Sequence, residues 1–478
     1  MLQTEIRTFK FLLNGEWLSE GRLVDVRSPG DQSLIARIVQ PERRHVEAAI
    51  EASVKAFEAT RKLGAYERQR VLHSVADGIS ARREEFARTL ALEAGKPIKT
   101  ARVEVDRAMF TFNVAAEEST RIYGEWLPMD VQPAAAGRWA IVRRFPIGPI
   151  ATITPFNFPL NLVAHKWAPA IAAGCSVVHK PAPQTPLCSL LLAELIHQAG
   201  WPPGALNVLP VTVPDAEPMI TDDRLKMLSF TGSATVGWEL KRRAGKKRVA
   251  LELGGNAGVI VHGDADLDHA ADRCAAGGFS YAGQTCISVQ RIIVEFRAME
   301  AFLAAFVPRV QKLKLGDPLD EATDVGPMIS EAAACRAAEW IEEAVAGGAT
   351  LLCGGKRRGA MVEPTVLTGT RPEQRVNCEE VFAPVVTVEP YSDFAEAIRR
   401  VNDSPYGLQA GVFTRDAKRM FTAFEELAVG GVMAGEVPTF RLDHMPYGGV
   451  KDSGLGREGL RYAIEEMTER KILVVHTP

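Results

Sequence analysis

The chain has 478 residues, 46% of them hydrophobic and 24% charged, so it has the balance of a globular protein, in a length that exceeds what one hydrophobic core usually serves. A formal net charge of −3 gives no electrostatic reason to expect nucleic acid or an anionic membrane as partner, and no apolar run is long enough to span a bilayer. Seven cysteines without a C-x-x-C pair argue against a disulfide framework or a structural metal site, so no metal is expected. The start, Met1 to Leu13, carries Glu5, Arg7 and Lys10 among its apolar residues and lacks a secretion signal's uninterrupted core, which makes the cytoplasm the expected compartment.

In chain order, Phe9 to Trp17 alternates around Asn14-Gly15, a hairpin signal. From Pro41 the period becomes helical. Val46, Ile50, Val54 and Phe57 mark one helix; Val71, Val75, Ile79, Phe86 and Leu90 mark a second that stops at Gly95, with Pro97 beyond. A third, from about Thr100 to Glu118, carries Arg107. Between Tyr123 and Pro149 a strand-rich insertion interrupts the pattern, with a loop at 133–137 and a strand at 139–145. An exposed strand of this kind seeks a partner, and pairing with a second subunit is one explanation.

From Pro149 to Leu253 strand and helix alternate as in a parallel α/β sheet. The strands end at the turn Thr154-Pro155-Phe156-Asn157-Phe158-Pro159, at Lys180, at Thr231-Gly232-Ser233 and at Glu252-Leu253-Gly254-Gly255. In open α/β sheets the carboxyl ends of the strands form the ligand edge. A second alternating region starts at Ala257, with Asp264 and Asp266 at a helix cap, a strand after Cys286, and further segments at 362–367 and 379–384.

Each polar group on that edge has two readings. Gly232-Ser233-x-x-x-Gly237 either brings backbone N–H groups to a phosphate or is a turn that needed small residues. Lys180 either reaches a cofactor hydroxyl or phosphate or is a solvated surface lysine; the prolines around it hold a fixed loop, which favours the positioned role. Glu252 is a general base or a helix cap; Asn157 is an oxyanion donor or a turn stabiliser. Cys286, in Gly283-Gln284-Thr285-Cys286, is a small buried residue or a nucleophile. Taken together they spell one reaction: thiolate attack on a carbonyl, an amide holding the oxyanion, hydride transfer, and a carboxylate activating water against a thioester.

PFNFP at 155–159, FTGSATVG at 230–237, LELGG at 251–255, GQTC at 283–286, EEVFAP at 379–384 and PYGGVKDSGLGREG at 446–459 resemble, in order, the motifs of the aldehyde dehydrogenase superfamily. The resemblance implies an α/β fold made of a Rossmann-like cofactor domain (1–123 and 146–253), an α/β catalytic domain (254–460) and a small β oligomerisation arm (124–145 and 461–478). The arm would pair across subunits with the terminal strand, giving a homodimer or homotetramer. It implies NAD- or NADP-dependent oxidation of an aldehyde to a carboxylic acid, with Cys286 as nucleophile, Glu252 as deacylating base, and Asn157 with the Cys286 backbone N–H as oxyanion hole. Lys180 and Glu380 would hold the two riboses, Gly232, Ser233 and Gly237 the pyrophosphate, and Phe382 the nicotinamide, with Thr154 and Phe156 beside it. Arg107, Phe158, His165, Thr285 and Arg441 are the candidate substrate contacts, with His444 in the same late loop as Arg441. An anionic or hydroxylated short aldehyde is the expected substrate. Alternatives are a coenzyme-A-acylating enzyme, which usually dispenses with the base, and a non-catalytic relative.

Three positions depart from the family's pattern. Pro183 stands where NAD-preferring members often carry glutamate, Ala383 where glycine is usual, and Gly435 where many have asparagine, a change expected to loosen the floor of the site.

Overall fold

The computed structural model describes residues 6–477; the first part of the stretch read above for a leader, and Pro478, lie outside the described residues. An eight-stranded sheet runs in the order Gly454–Leu455, Arg248–Glu252, Met227–Thr231, Ile150–Ile153, Val177–Lys180, Leu206–Val208, Phe11–Leu13 and Glu16–Leu18. Its five central strands are parallel, and the antiparallel edges are the expected hairpin on one side and a late glycine-rich segment on the other. The hairpin turn places Asn14 and Gly15 at positive φ, as its Asn-Gly pair predicts. The first of the parallel strands in sequence, Ile150–Ile153, has the second and the fourth as its neighbours. The order therefore reverses beside Met227–Thr231, which creates the crevice that such sheets use for ligands.

Helices cover both faces. Arg43–Thr60, Leu240 and Phe230 belong to one core; Ala65–Ala81, Arg83–Ala94 and Ile98–Ser119 pack with Asn161–Ala173 and Leu187–Gln198 in the other. The second predicted helix is in fact two, divided at Arg82, whose φ of −108° and ψ of 23° leave the helical range. Its stop is as expected: Gly95 takes the left-handed conformation at φ 67°.

A seven-stranded sheet follows, ordered Thr350–Cys353, Thr365–Thr368, Val385–Tyr391, Val289–Glu295, Ala257–Val261, Gln409–Phe413 and Gly431–Ala434, parallel except at its first pair. Asp266 caps the helix Leu267–Phe279, as read. The segment 379–384 is not a strand: Phe382 sits at φ 51°, and the ladder starts only at Val385. Here the amino ends matter. Cys286, Glu380 and Gly255 each lie just before a strand of this sheet, so its amino ends face the carboxyl ends of the first.

The insertion forms a three-stranded antiparallel sheet, Thr468–His476 with Arg138–Pro146 and Glu125–Pro128. The terminal strand pairs with the arm within one chain, over nine residue pairs, and lies at the edge of this sheet. The short connection from the helix Leu460–Glu466 brings the two strands into register. That helix buries Leu460 and Ile464 in the first core. Among the described residues, no helix is long and apolar enough to cross a membrane.

Candidate active site

A cavity of about 490 Å³ opens between the two sheets. It is lined by Asn157, Glu252 and Cys286; by Phe156, Gly232, Ser233, Glu380 and Phe382; and by Arg107, Phe158, Thr285 and Arg441. Residues from seven separate segments of the chain thus meet where the crevice and the Cys286 loop face one another. Thr154, Lys180 and Gly237 lie outside the lining, and so does His165.

The Cys286 loop is held under strain. Tyr281, Ala282 and Gly283 take left-handed φ values of 50°, 52° and 67°, a conformation that costs non-glycine residues energy and persists only where packing enforces it. Tyr281 donates to the Ala94 carbonyl at 2.8 Å, and Gln284 accepts at 2.8 Å from the Ile329 N–H. Behind the loop, Gly255 leaves room for the Cys286 carbonyl: a Cβ there would lie 2.2 Å from it. The thiol emerges partly exposed, and its Sγ is 3.1 Å from the Tyr447 hydroxyl. Burial pushes the thiol up to about 12, opposed by that hydrogen bond.

Asn157 is buried, and its Nδ2 donates at 3.0 Å to the Gln284 carbonyl, which ties it to the Cys286 loop. Its own carbonyl accepts at 2.8 Å from Lys96, a buried ammonium that also pairs with Glu104 and sits 3.8 Å from the centre of the Phe158 ring. Glu104 in turn accepts from the Leu160 and Asn161 N–H groups. Asn157 keeps one free amide hydrogen, and the Cys286 N–H has no acceptor among the backbone bonds of the described residues, so two donors are available to an oxyanion.

Glu252 is buried, with Oε2 unpartnered. Burial and the neighbouring Glu458 push its carboxyl well above the ordinary range. Burial also works on Glu458, but Lys166, His165 and Arg441 outweigh it and hold that carboxyl down at about 2. Lys166 spans the gap, 3.0 Å from Ser229 Oγ and 3.5 Å from Glu458.

A nicotinamide dinucleotide fits the remaining groups. Lys180, buried at a strand end, has the Pro181 carbonyl at 3.4 Å as its hydrogen-bond partner, and burial pushes its ammonium down to about 8. Thr231 Oγ1 is buried and unpartnered, and Ser233 starts the helix Ala234–Arg243 without a side-chain cap, leaving the first N–H groups free for phosphate. A Cβ on Gly232 would lie 2.4 Å from the Phe230 ring, so a larger residue there would have to push that ring aside. Gly237 instead faces Leu253, 2.3 Å from where its Cβ would be, and serves close packing of helix on strand. Glu380 accepts at 2.8 Å from the Gly255 N–H, and burial pushes its carboxyl up to about 7. Phe382 meets Phe156 edge to face at 5.9 Å.

At the other end, Arg107 grips Asp443 through Nη2 at 2.7 Å and Nε at 3.2 Å while still lining the cavity. Arg441 donates at 3.0 Å to Glu458. His165, placed above among substrate contacts, is buried one layer behind. Its Nε2 lies 2.7 Å from Asp443 and 3.2 Å from Arg441 Nη2. One nitrogen cannot donate to the first and accept from the second, so the closer carboxylate assigns it the proton. The reason His165 misses the cavity is local: every residue of the helix Asn161–Ala173 is buried, so Asn161, His165 and Lys166 must find partners inside. His444 also lies off the cavity, against Phe110. Gly435 is exposed, at φ 70°, and is no part of the cavity floor. Sequence reasoning missed Lys96, Glu104, Lys166, Asp443, Tyr447 and Glu458. A usable signal existed for Lys166, a charge inside a helix that is apolar apart from Asn161 and His165.

The aldehyde dehydrogenase family model matches residues 17–473. The chain is 44% identical over 474 residues to a 3-sulfolactaldehyde dehydrogenase of Priestia aryabhattai, covering 99% of each. Among solved structures, it is similar to aldehyde dehydrogenase 21 from Physcomitrella patens in complex with the reaction product succinate, with TM-score 0.97, 46% identity and 99% of each chain covered. It is also similar to a glyceraldehyde-3-phosphate dehydrogenase from Methanocaldococcus jannaschii complexed with NADP, with TM-score 0.92 and 40% identity, covering 95% of this chain and 100% of that one.

Proposed function

This chain belongs to the aldehyde dehydrogenase family and is an NAD(P)-dependent oxidoreductase acting on aldehydes; from that premise we propose that Cys286 is its nucleophile, Glu252 its deacylating base, and a short anionic or hydroxylated aldehyde its substrate. The observation that carries the reading is the meeting of Cys286, Glu252 and Asn157 in one cavity with Arg107 and Arg441.

Cys286 ionises, its proton leaving through the open cavity, and the sulfur pair attacks the aldehyde carbon. The free Asn157 N–H and the Cys286 N–H receive the oxygen as it becomes an alkoxide. Lys180, Glu380, Gly232, Ser233, Phe382, Thr154 and Phe156 would hold the cofactor, which supplies the hydride acceptor when bound. The resulting Cys286 thioester is opened by water. Glu252 takes the water's proton, the C–S bond breaks, and the carboxylic acid leaves with the sulfur restored. A carboxyl raised by burial is a stronger base than an exposed one, which suits this task.

Arg107 and Arg441 favour an anionic tail, and the unpartnered, buried Thr285 hydroxyl favours a hydroxylated one. The names of the relatives support the same class: one acts on sulfolactaldehyde, and one holds succinate. Pro183 is exposed and presents no carboxylate against a 2′-phosphate, so both dinucleotides are admitted. The arm exposes Trp126, Ile472, Leu473 and Val474, which supports association of this chain with further copies of itself.

A panel of anionic and neutral short aldehydes with NAD and NADP, with and without coenzyme A, tests this reading through absorbance of the reduced nicotinamide. Turnover on anionic aldehydes without coenzyme A is expected; turnover only in its presence would transfer the protein to the acylating class.

A further inference from the structure

We propose that Tyr447 is a further catalytic residue, whose phenol O–H donates to the Cys286 thiolate, and that Arg441, stacked on the phenol ring, strengthens this donor. The proposal rests on Cys286 being the nucleophile.

The contact is specific. Among the described residues, Tyr447 Oη at 3.1 Å is the polar side-chain atom that meets Cys286 Sγ. Tyr447 is buried, and its backbone is pinned to Glu458 by a reciprocal pair of hydrogen bonds at 3.1 and 2.6 Å. Its ring packs with Ile287 and Leu408, so the hydroxyl has little freedom to turn away. The Arg441 guanidinium lies 3.6 Å from the ring centre and is itself fixed by Glu458 at 3.0 Å. A cation on the face of a phenol withdraws density from the ring and makes its O–H a better donor.

The direction of donation follows from chemistry. A thiol gives up its proton more readily than a phenol, about 8.5 against about 10 for the free groups, so once the sulfur is ionised the hydrogen belongs to tyrosine. The thiolate needs this help. Glu252 and Glu380 line the same cavity and oppose a negative sulfur, while Arg441 favours it only from beyond the ring. Hydrogen bonds to ionised groups are about twice as strong as neutral ones. The same O–H acts twice. It stabilises the sulfur before the C–S bond forms, and again when that bond breaks in hydrolysis and the electron pair returns to sulfur. Tyr447 keeps its own proton throughout.

Tyr447→Phe removes one oxygen and retains the ring, so packing and the Arg441 stack persist. The rate at which iodoacetamide alkylates Cys286 should be measured against pH without aldehyde, with the labelled residue located by peptide mass. The midpoint is expected to rise by about one unit in the variant, and kcat/KM to fall about tenfold on anionic and neutral aldehydes alike. A thermal midpoint equal to wild type, together with the shifted profile, marks a role in chemistry and not in packing. An unchanged alkylation profile in a folded Tyr447→Phe protein would overturn the proposal. Full turnover in Cys286→Ala would instead remove the nucleophile assignment on which it rests, a result the alkylation experiment does not depend on.

Discussion

Gly283 and Ala383 touch backbone to backbone: a Cβ on Gly283 would stand 2.1 Å from the Ala383 carbonyl oxygen and 2.5 Å from its carbon. The strained loop that presents Cys286 is therefore seated on the turn that presents Phe382, and the two halves of the site share one contact. Carbonyl carbon and oxygen cannot rotate aside as a flexible side chain can. Gly283→Ala should abolish most activity and lower the thermal midpoint, because the 281–286 loop must lift off its support. Ala383 itself is not at positive φ; the left-handed residue of that turn is Phe382. The methyl group at this departure from the family pattern therefore costs no backbone strain, and Ala383→Gly should leave steady-state kinetics close to wild type. Wild-type stability in Gly283→Ala would contradict the interlock.

Asp443 holds Arg107, Asn161 and His165 together, with Oδ1 accepting from all three. Burial works against its charge, but the His165 hydrogen bond and the Arg107 charge outweigh that and hold its carboxyl well below the usual range. If Arg107 recognises an anionic tail, Asp443 aims it. Arg107→Ala and Asp443→Ala should each raise KM for anionic aldehydes by about 10–100-fold, the worth of one charged hydrogen bond, while neutral aldehydes lose far less. Equal losses for both substrate classes would assign the pair to folding alone.

Lys180 gives a pH dependence whose sign is fixed. Its ammonium is lowered by burial to about 8, so it is charged below that pH and neutral above it. NADP carries one more phosphate than NAD and should depend more on the charge. The ratio of kcat/KM for NADP over NAD is therefore expected to fall as pH rises through about 8, and Lys180→Met should flatten the trend. A ratio that is level across this range in wild type would place Lys180 away from the 2′ position.

Much of this was legible in the residues. The hairpin at Asn14-Gly15, the parallel strands from Ile150 to Glu252 and the edge bearing Asn157, Gly232 and Glu252 follow from local periodicity and turn chemistry, both encoded within a few residues. The charged network was not. Arg107 and Asp443 are 336 residues apart, and nothing near either one specifies the other. His165 looked available because polar residues usually are; only the packing of Asn161–Ala173 on all sides shows that it is enclosed. The strain at 281–283 was equally hidden, since Tyr281 and Ala282 adopt left-handed angles under tertiary contact and not by preference. The terminal strand read correctly as a strand, yet its partner inside the same chain depended on where the helix before it packs.

The central claim is that Cys286 carries an acyl group that Glu252 releases. Glu252→Gln keeps the shape of the side chain and removes the base, and should slow steady turnover by roughly 10²–10⁴. Because the carboxylate is the active form, wild-type turnover should rise with pH through a limb above the ordinary carboxylate range, and the variant should lack that limb. The most direct measurement is a rapid mix of Glu252→Gln with aldehyde and cofactor, followed by intact-protein and peptide mass. The account predicts a burst of one reduced nicotinamide per site and an acyl mass increment on the peptide containing Cys286. A burst with no increment on that peptide, or turnover undiminished in Cys286→Ala, would contradict it.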